Sequence, residues 1–182
     1  TLTKGLLAAA TLRQPDLELI ASRLNRALTA AGRKRVFVTM SLGVLDEQQG
    51  VFRHIRAGHN PPLLWRAASG ACEFLKPPGI GLGLTGGSAF ERHLREQQVA
   101  LHPGDALVLY SDGLVECMNE SNEQFGEERL ERALKEWGPL DAAALKRHIV
   151  EEARRFRGQA DPHDDLTVMV VKSRPAHGHS VG

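Results

Sequence analysis

Ala106-Leu107-Val108-Leu109-Tyr110-Ser111-Asp112-Gly113 is the stretch that decides the fold. Five apolar residues in succession leave no polar face, so the run predicts a short strand buried on both sides. The Ser-Asp-Gly that follows is a tight turn, which Gly113 permits, and it leaves Asp112 at the C-terminal end of the strand. A second run, Leu166 to Val171, is rich in β-branched residues and is preceded by Asp164-Asp165. If the two strands are antiparallel neighbours, Asp112 and the Asp164-Asp165 pair fall at one sheet edge. Pro162 restrains the loop that delivers Asp164. Successive side chains in an extended segment point to opposite faces, so one of Asp164 and Asp165 is expected to share a centre with Asp112. Two carboxylates a few ångströms apart repel unless a cation lies between them. Hard oxygen donors without thiolate or imidazole favour Mg²⁺ or Mn²⁺. Turn chemistry alone also selects Asp and Gly, so each motif read singly is equally a polar turn.

Outward from this pair, the chain reads as helices, then strands in adjacent runs, then helices, then a last strand. Leu2 to Leu12 has high helix propensity, and a second helix starting near Pro15-Asp16 places Leu17, Ile20, Leu24 and Leu28 on one face, with Gly32 as its stop. Val36 to Leu45 and Val51 to Ala57 predict a hairpin. Leu63 to Trp65 and Cys72 to Leu75 are short strand candidates, followed by a glycine-rich loop from Pro77 to Gly87. Arg92 to Leu101 is expected to pair with Ala106 to Tyr110 through the turn His102-Pro103-Gly104-Asp105. Leu130, Ala133, Leu134 and Trp137 predict one helix; Asp141 caps another that carries Leu145, Ile149, Ala153 and Phe156 and closes at Gly158. Ser173 to Gly182 has no apolar period and reads as a disordered tail. Strands in adjacent runs, without regular βαβ alternation, indicate an α+β fold with mainly antiparallel pairing.

Composition narrows the function. The 182 residues suffice for one domain with a real core. Lys and Arg number 23 against 22 Asp and Glu, a net charge of +1, so no long-range field attracts nucleic acid or an acidic membrane. Two cysteines, no zinc spacing, no signal peptide and no membrane-length apolar run point to a reduced, cytoplasmic protein.

The ordered set Phe37-Val38-Thr39, Ala57-Gly58-His59-Asn60-Pro61-Pro62, Gly79-Ile80-Gly81-Leu82-Gly83, Pro103-Gly104-Asp105 to Gly113, Phe125-Gly126 and Asp164-Asp165-Leu166-Thr167 resembles the bacterial SpoIIE-type branch of the PPM (type 2C) metal-dependent serine/threonine phosphatases. The resemblance covers residues 1–172. It implies an α-β-β-α sandwich of two mainly antiparallel sheets, two Mn²⁺ or Mg²⁺ ions, and attack by a metal-activated water on phosphoserine or phosphothreonine. By motif position it implies that Asp112 and Asp164 are metal ligands, with Asp165 and Gly113 beside them. It further implies a phosphorylated anti-sigma-factor antagonist as substrate and a sensory or receiver domain as controller. The family's G-D-x-x-D and D-x-x-G segments have no counterpart among these 182 residues, so a domain without its N-terminal metal motifs and first strands, weakly active or inactive alone, is expected.

Other features have plainer roles beside their chemical ones. Gly81-Leu82-Gly83-Leu84-Thr85-Gly86 fits G-x-G-x-x-G, but Pro77-Pro78 precedes it in place of a strand and Ser88 to Arg95 reads as extended in place of a helix; a tight loop shaping the rim of the site is the better reading. His59 is a candidate proton donor and, more simply, a turn-fixing residue. His163 and the pair His177 and His179 are read as exposed loop and tail. Ser111 lacks a nucleophile elbow, and Cys117 reads as core packing. Arg147, Arg154, Arg155 and Arg157 form either a phosphate or partner patch or the solvated face and C-terminal turn of a helix, where such charges complement its dipole. The alternatives to a phosphatase are a pseudophosphatase that binds a regulatory partner without hydrolysis and, on the glycine loop alone, a nucleotide-binding oxidoreductase.

Overall fold

The computed structural model describes residues 16–30, 37–162 and 164–174. The expected first helix, the Gly32 stop, His163 and nearly all of the tail lie outside them. The described residues fall into two compact units, one running to His59 and including Lys76–Ala100, the other made of Asn60–Leu75 and the chain from Leu101 onward.

The first unit holds α1 (Leu17–Ala30), β1 (Met40–Asp46), β2 (Val51–Ala57), α2 (Gly87–His93) and β5 (Gln97–Ala100). Asp16 caps α1 by accepting the Leu19 amide at 2.8 Å, satisfying one of the orphan donors of its first turn. β1 and β2 form the expected antiparallel hairpin, and β5 joins the other edge of β2 in the order β1-β2-β5. Leu17, Ile20 and Leu24 of α1 pack with Ile55, Leu82, Phe90 and Leu94 in one core.

The glycine loop belongs to this unit. Leu82 exchanges backbone hydrogen bonds with Val38 at 2.8 and 2.9 Å. Asn25, buried in α1, donates to the Thr85 carbonyl at 2.9 Å and accepts the Gly83 amide at 2.7 Å. Gly58, at φ +70°, faces the loop so closely that a Cβ there would stand 2.8 Å from the Gly81 nitrogen. The loop is fastened through its backbone groups to Val38 and to the Asn25 side chain.

Two sequence expectations fail here. Ser88 to Arg95 is not extended: Gly87–His93 is helical, with Phe90 and Leu94 buried four residues apart. The strand after it is short and pairs with β2; it does not pair with Ala106–Tyr110. The turn His102 to Asp105 is real, but it connects strands of different sheets. Local pattern specifies a strand; it does not specify the partner, which is set by long-range burial.

The second unit holds β3 (Leu63–Trp65), β4 (Cys72–Phe74), β6 (Ala106–Tyr110), α3 (Asp112–Val115), α4 (Gly126–Trp137), α5 (Ala142–Arg157) and β7 (Val168–Lys172). Its antiparallel sheet has the order β4-β3-β6-β7, so β6 is internal and every residue of the apolar run is fully or partly buried. Leu63, Trp65, Ala106, Val108 and Tyr110 pack against Leu130, Leu134, Leu145, Ile149 and Ala153 of the two long helices. Asp141 caps α5 by accepting the Ala144 amide at 2.8 Å, and Gly158 ends it at φ +63°. Lys172 lies over the Trp65 ring, 4.6 Å from its centroid, and donates to the Gly138 carbonyl. Burial pushes its ammonium pKa down, with Asp105 pulling the other way.

Asp105 anchors the far end of β6. Its side chain is 2 % exposed and accepts from Arg66 Nη1 at 2.9 Å, the Ala67 amide at 2.9 Å and the His102 amide at 3.0 Å. Burial drives its carboxyl pKa up, but those donors outweigh burial and hold it below the usual carboxylate value. The turn aspartate is therefore a structural anion.

Candidate metal and phosphate site

β6 and β7 are antiparallel neighbours in register from Ala106↔Lys172 to Tyr110↔Val168. The turn after β6 and the loop before β7 consequently meet at one end of the sheet, as the spacing of the two acidic motifs requires. Ser111 ties them together: its amide donates to the Thr167 carbonyl at 3.0 Å, its Oγ donates to the Asp165 carbonyl at 3.0 Å, and the same Oγ accepts the Thr167 amide at 2.9 Å. Ser111 is thus more than a turn residue.

Gly113 completes the contact. A Cβ there would stand 2.5 Å from the Asp165 carbonyl oxygen and 3.4 Å from the Asp164 carbonyl carbon. The glycine is needed for close backbone approach, not for an unusual dihedral angle. In place of a simple turn, Asp112 begins the one-turn helix α3, whose Leu114 is fully buried and pins the turn to the core. Asp112, Asp164 and Asp165 are all exposed.

Each candidate ligand is steadied through one oxygen. The Gly113 amide donates to Asp112 Oδ1 at 3.1 Å and the Asp165 amide donates to Asp164 Oδ1 at 2.7 Å. No described residue donates to Oδ2 of either. Hard carboxylates held this way fit a hydrated Mg²⁺ or Mn²⁺, which takes one or two protein carboxylates and keeps waters. Among the described residues no group of three or more His, Cys, Asp or Glu converges on a point, so these two carboxylates would be part of a ligand set.

Beside the two turns lies a cavity of about 320 Å³, lined by Gly113, Glu116, Cys117, Met118, Gln124, Arg157, Asp161, Pro162, Asp164 and Leu166. Asp164 lines it and Asp165 does not. One wall is the loop between α3 and α4, which folds on itself: Asn119 accepts the Ser121 and Glu123 amides, Met118 pairs with Gln124, and Asn122 sits at φ +61°. Glu120 accepts the Gln159 amide at 2.9 Å and so holds that loop to the end of α5. Burial pushes the Cys117 thiol pKa up while Arg157 pulls it back, leaving a thiol ill suited to nucleophilic work.

The remaining candidates lie elsewhere. The His59 ring meets Thr39 Oγ1 at 3.2 Å and its carbonyl accepts from Arg56, the contacts of a residue that fixes a turn. Arg155 pairs with Glu152 at 2.5 Å, and Arg147 and Arg154 are exposed. Of the four arginines only Arg157 reaches the cavity. No helix among the described residues is long and apolar enough to cross a membrane.

Comparison with known proteins agrees with this architecture. The family described as Stage II sporulation protein E (SpoIIE) matches residues 1–174. Phosphoserine phosphatase RsbU of Bacillus subtilis is 24% identical over 158 residues, 85% of this chain and 44% of RsbU. The SiaA-PP2C domain of Pseudomonas aeruginosa superposes with a TM-score of 0.76 at 18% identity, over 93% of this chain and 65% of that one. RsbX, solved in complex with magnesium, superposes with a TM-score of 0.65 at 16% identity, over 94% of this chain and 70% of that one. The chain spans less than half the length of the curated relatives it matches.

Proposed function

The chain belongs to the SpoIIE family, the branch of PPM phosphatases already indicated by its motifs, and from that premise we propose that it hydrolyses phosphoserine or phosphothreonine on a regulatory protein, with residues 1–172 as one phosphatase domain. The observation that carries this reading is the knitting of the Ser111-Asp112-Gly113 turn to the Asp164-Asp165 loop. Asp112 and Asp164 are assigned as ligands of Mn²⁺ or Mg²⁺, the type of cofactor on which the family depends. Asp165 and Gly113 are assigned supporting roles: the Asp165 amide steadies Asp164, and Gly113 lets the two backbones touch. A divalent cation held there supplies positive charge that acidifies water and offsets the charge developing on a phosphoryl group.

The chain's own residues position and orient. Ser111 fixes the distance between the turns, and Leu114 holds the Asp112 turn against the core. The cavity beside Asp164, at about 320 Å³, has room for a phosphorylated side chain. No described side chain near it is activated as a nucleophile, which is consistent with direct attack by water. We further assign the substrate as a phosphorylated anti-sigma-factor antagonist, a sensory or receiver domain in the intact protein as the controller, and the cytoplasm as the location. The RsbU relative, itself named a phosphoserine phosphatase, supports the substrate class.

The test is phosphate release from a phosphoserine peptide by the intact protein. Release should require Mn²⁺ or Mg²⁺, stop with chelator, and fall by more than about 100-fold in Asp112→Asn, since even groups that only hydrogen-bond a metal ligand are worth about 10–100-fold. Metal-independent release, or release that survives Asp112→Asn, would sink the assignment. Tight phosphopeptide binding with no release by the intact protein would establish a binding module in its place.

A further inference from the structure

Arg157 closes α5 and is one of the residues lining the cavity that also holds Gly113 and Asp164. Its neighbours in the same turn, Arg154 and Arg155, are exposed, as expected of charges that complement a helix C-terminus. Arg157 is different. It is partly buried, and its Nε is shut off from solvent without a hydrogen-bond partner. Its side chain makes no hydrogen bond or ion pair with any described residue, although Glu116 and Asp161 line the same cavity. The Nε is closed even to water, so the Nη groups, which are not buried in this way, are the ones left to meet a ligand in the cavity. The planar fork of arginine matches phosphate oxygens two at a time, and a partly enclosed site raises the strength of each such contact.

We propose that Arg157 is the phosphoryl anchor of this cavity, binding oxygens of the substrate's phosphoserine or phosphothreonine, and of the phosphate released from it, beside the Asp112–Asp164 metal site. This rests on the phosphatase reading. The division of labour is chemical: the acidic turns attract cations, and an anionic ligand needs one fixed positive group that remains when the cation exchanges. Arg157 occupies that place, because Gly158 at φ +63° stops the helix just beyond it and Glu120 holds the adjoining chain by accepting the Gln159 amide. It is a positioning group for the phosphoryl end of the substrate, not a proton donor.

The experiment titrates the intact protein, and its Arg157→Ala, Arg157→Lys and Arg154→Ala variants, with inorganic phosphate, a phosphoserine peptide and the same peptide unphosphorylated, at fixed ionic strength. Mn²⁺ affinity is measured in parallel, with Asp112→Asn as an additional variant, and thermal melts verify folding. Arg157→Ala should weaken phosphate and phosphopeptide binding by about tenfold or more, the worth of a charge-assisted hydrogen bond. Arg157→Lys, which keeps the charge and the fold but lacks the fork, should fall between. Arg154→Ala should match the wild type, and KM for the phosphopeptide should rise in Arg157→Ala while Mn²⁺ affinity stays within about twofold. Unchanged phosphate binding in both Arg157 variants would overturn the anchor. So would an equal loss for the unphosphorylated peptide, which would make Arg157 a site for a peptide carboxylate. Asp112→Asn separates the two claims: unchanged Mn²⁺ binding there overturns the phosphatase reading, whereas lost Mn²⁺ binding with unchanged phosphate binding in Arg157→Ala overturns only the anchor.

Discussion

Replacing Gly113 by alanine places one methyl group between the two acidic turns. The added Cβ would lie 2.5 Å from the Asp165 carbonyl oxygen and 2.9 Å from its carbonyl carbon, against an ordinary contact that begins at 3.4 Å, so the Asp164-Asp165 loop has to withdraw by roughly 0.9 Å. That displacement is enough to break the 3.0 Å bond from Ser111 Oγ to the Asp165 carbonyl and the 2.9 Å bond from the Thr167 amide to Ser111 Oγ. Overpacking costs about 1–3 kcal/mol and each lost hydrogen bond about 1 kcal/mol, while alanine returns about 1 kcal/mol of helix propensity in α3. The net expectation is a loss of about 2–4 kcal/mol by denaturant unfolding, or roughly 2–4 °C in Tm for each kcal/mol. Mn²⁺ affinity should fall further, by about tenfold or more, because the two carboxylates are pushed apart. Gly86→Ala is the matched control: a Cβ there meets nothing within 4 Å, and the change should stay within about 0.5 kcal/mol. If Gly113→Ala is as stable as that control and binds Mn²⁺ like the wild type, the close approach of the two turns is refuted.

The other predictions concern the supports of the site. Leu114→Ala empties a fully buried position beneath the Asp112 turn and should cost about 2–5 kcal/mol in chemical denaturation. Asp105→Ala leaves Arg66 and two backbone amides without their shared acceptor and should cost about 3 kcal/mol. Because the folded-state pKa of Asp105 lies below its unfolded value, its stabilisation is full above about pH 4 and is lost as pH falls through the folded value; the variant should therefore melt with a shallower acid dependence than the wild type. The 182 residues alone, which contain neither G-D-x-x-D nor D-x-x-G, should release phosphate from a phosphoserine peptide very weakly or not at all; robust turnover by the purified chain would contradict the need for those motifs.

Much of this architecture was legible in the residues because burial and capping leave local marks. The uninterrupted apolar run of β6 reads as an internal strand and is one; Asp141 and Gly158 bracket α5; the β1–β2 hairpin shows in its β-branched runs. Helix α2 leaves little local mark because glycines and a serine open it, and seven residues give barely two turns of period. Its only clear signal is the spacing of Phe90 and Leu94. The pairing of β5 is not legible for another reason: a four-residue turn looks the same whether it joins partners or strands of separate sheets. In the candidate site, the meeting of the two acidic turns followed from antiparallel neighbours, but the Ser111 bridge did not, since a hydroxyl's partners come from tertiary placement. Nor did four arginines on one helix reveal which faces a cavity; that depends on where the β7 loop passes.

Mn²⁺ titration of the intact protein, followed by electron paramagnetic resonance, tests the central claim most directly. Asp112→Asn and Asp164→Asn should each weaken binding by more than about tenfold, and Asp165→Asn should leave it within about twofold. Mn²⁺ bound as tightly by Asp112→Asn and Asp164→Asn as by the wild type would contradict the account.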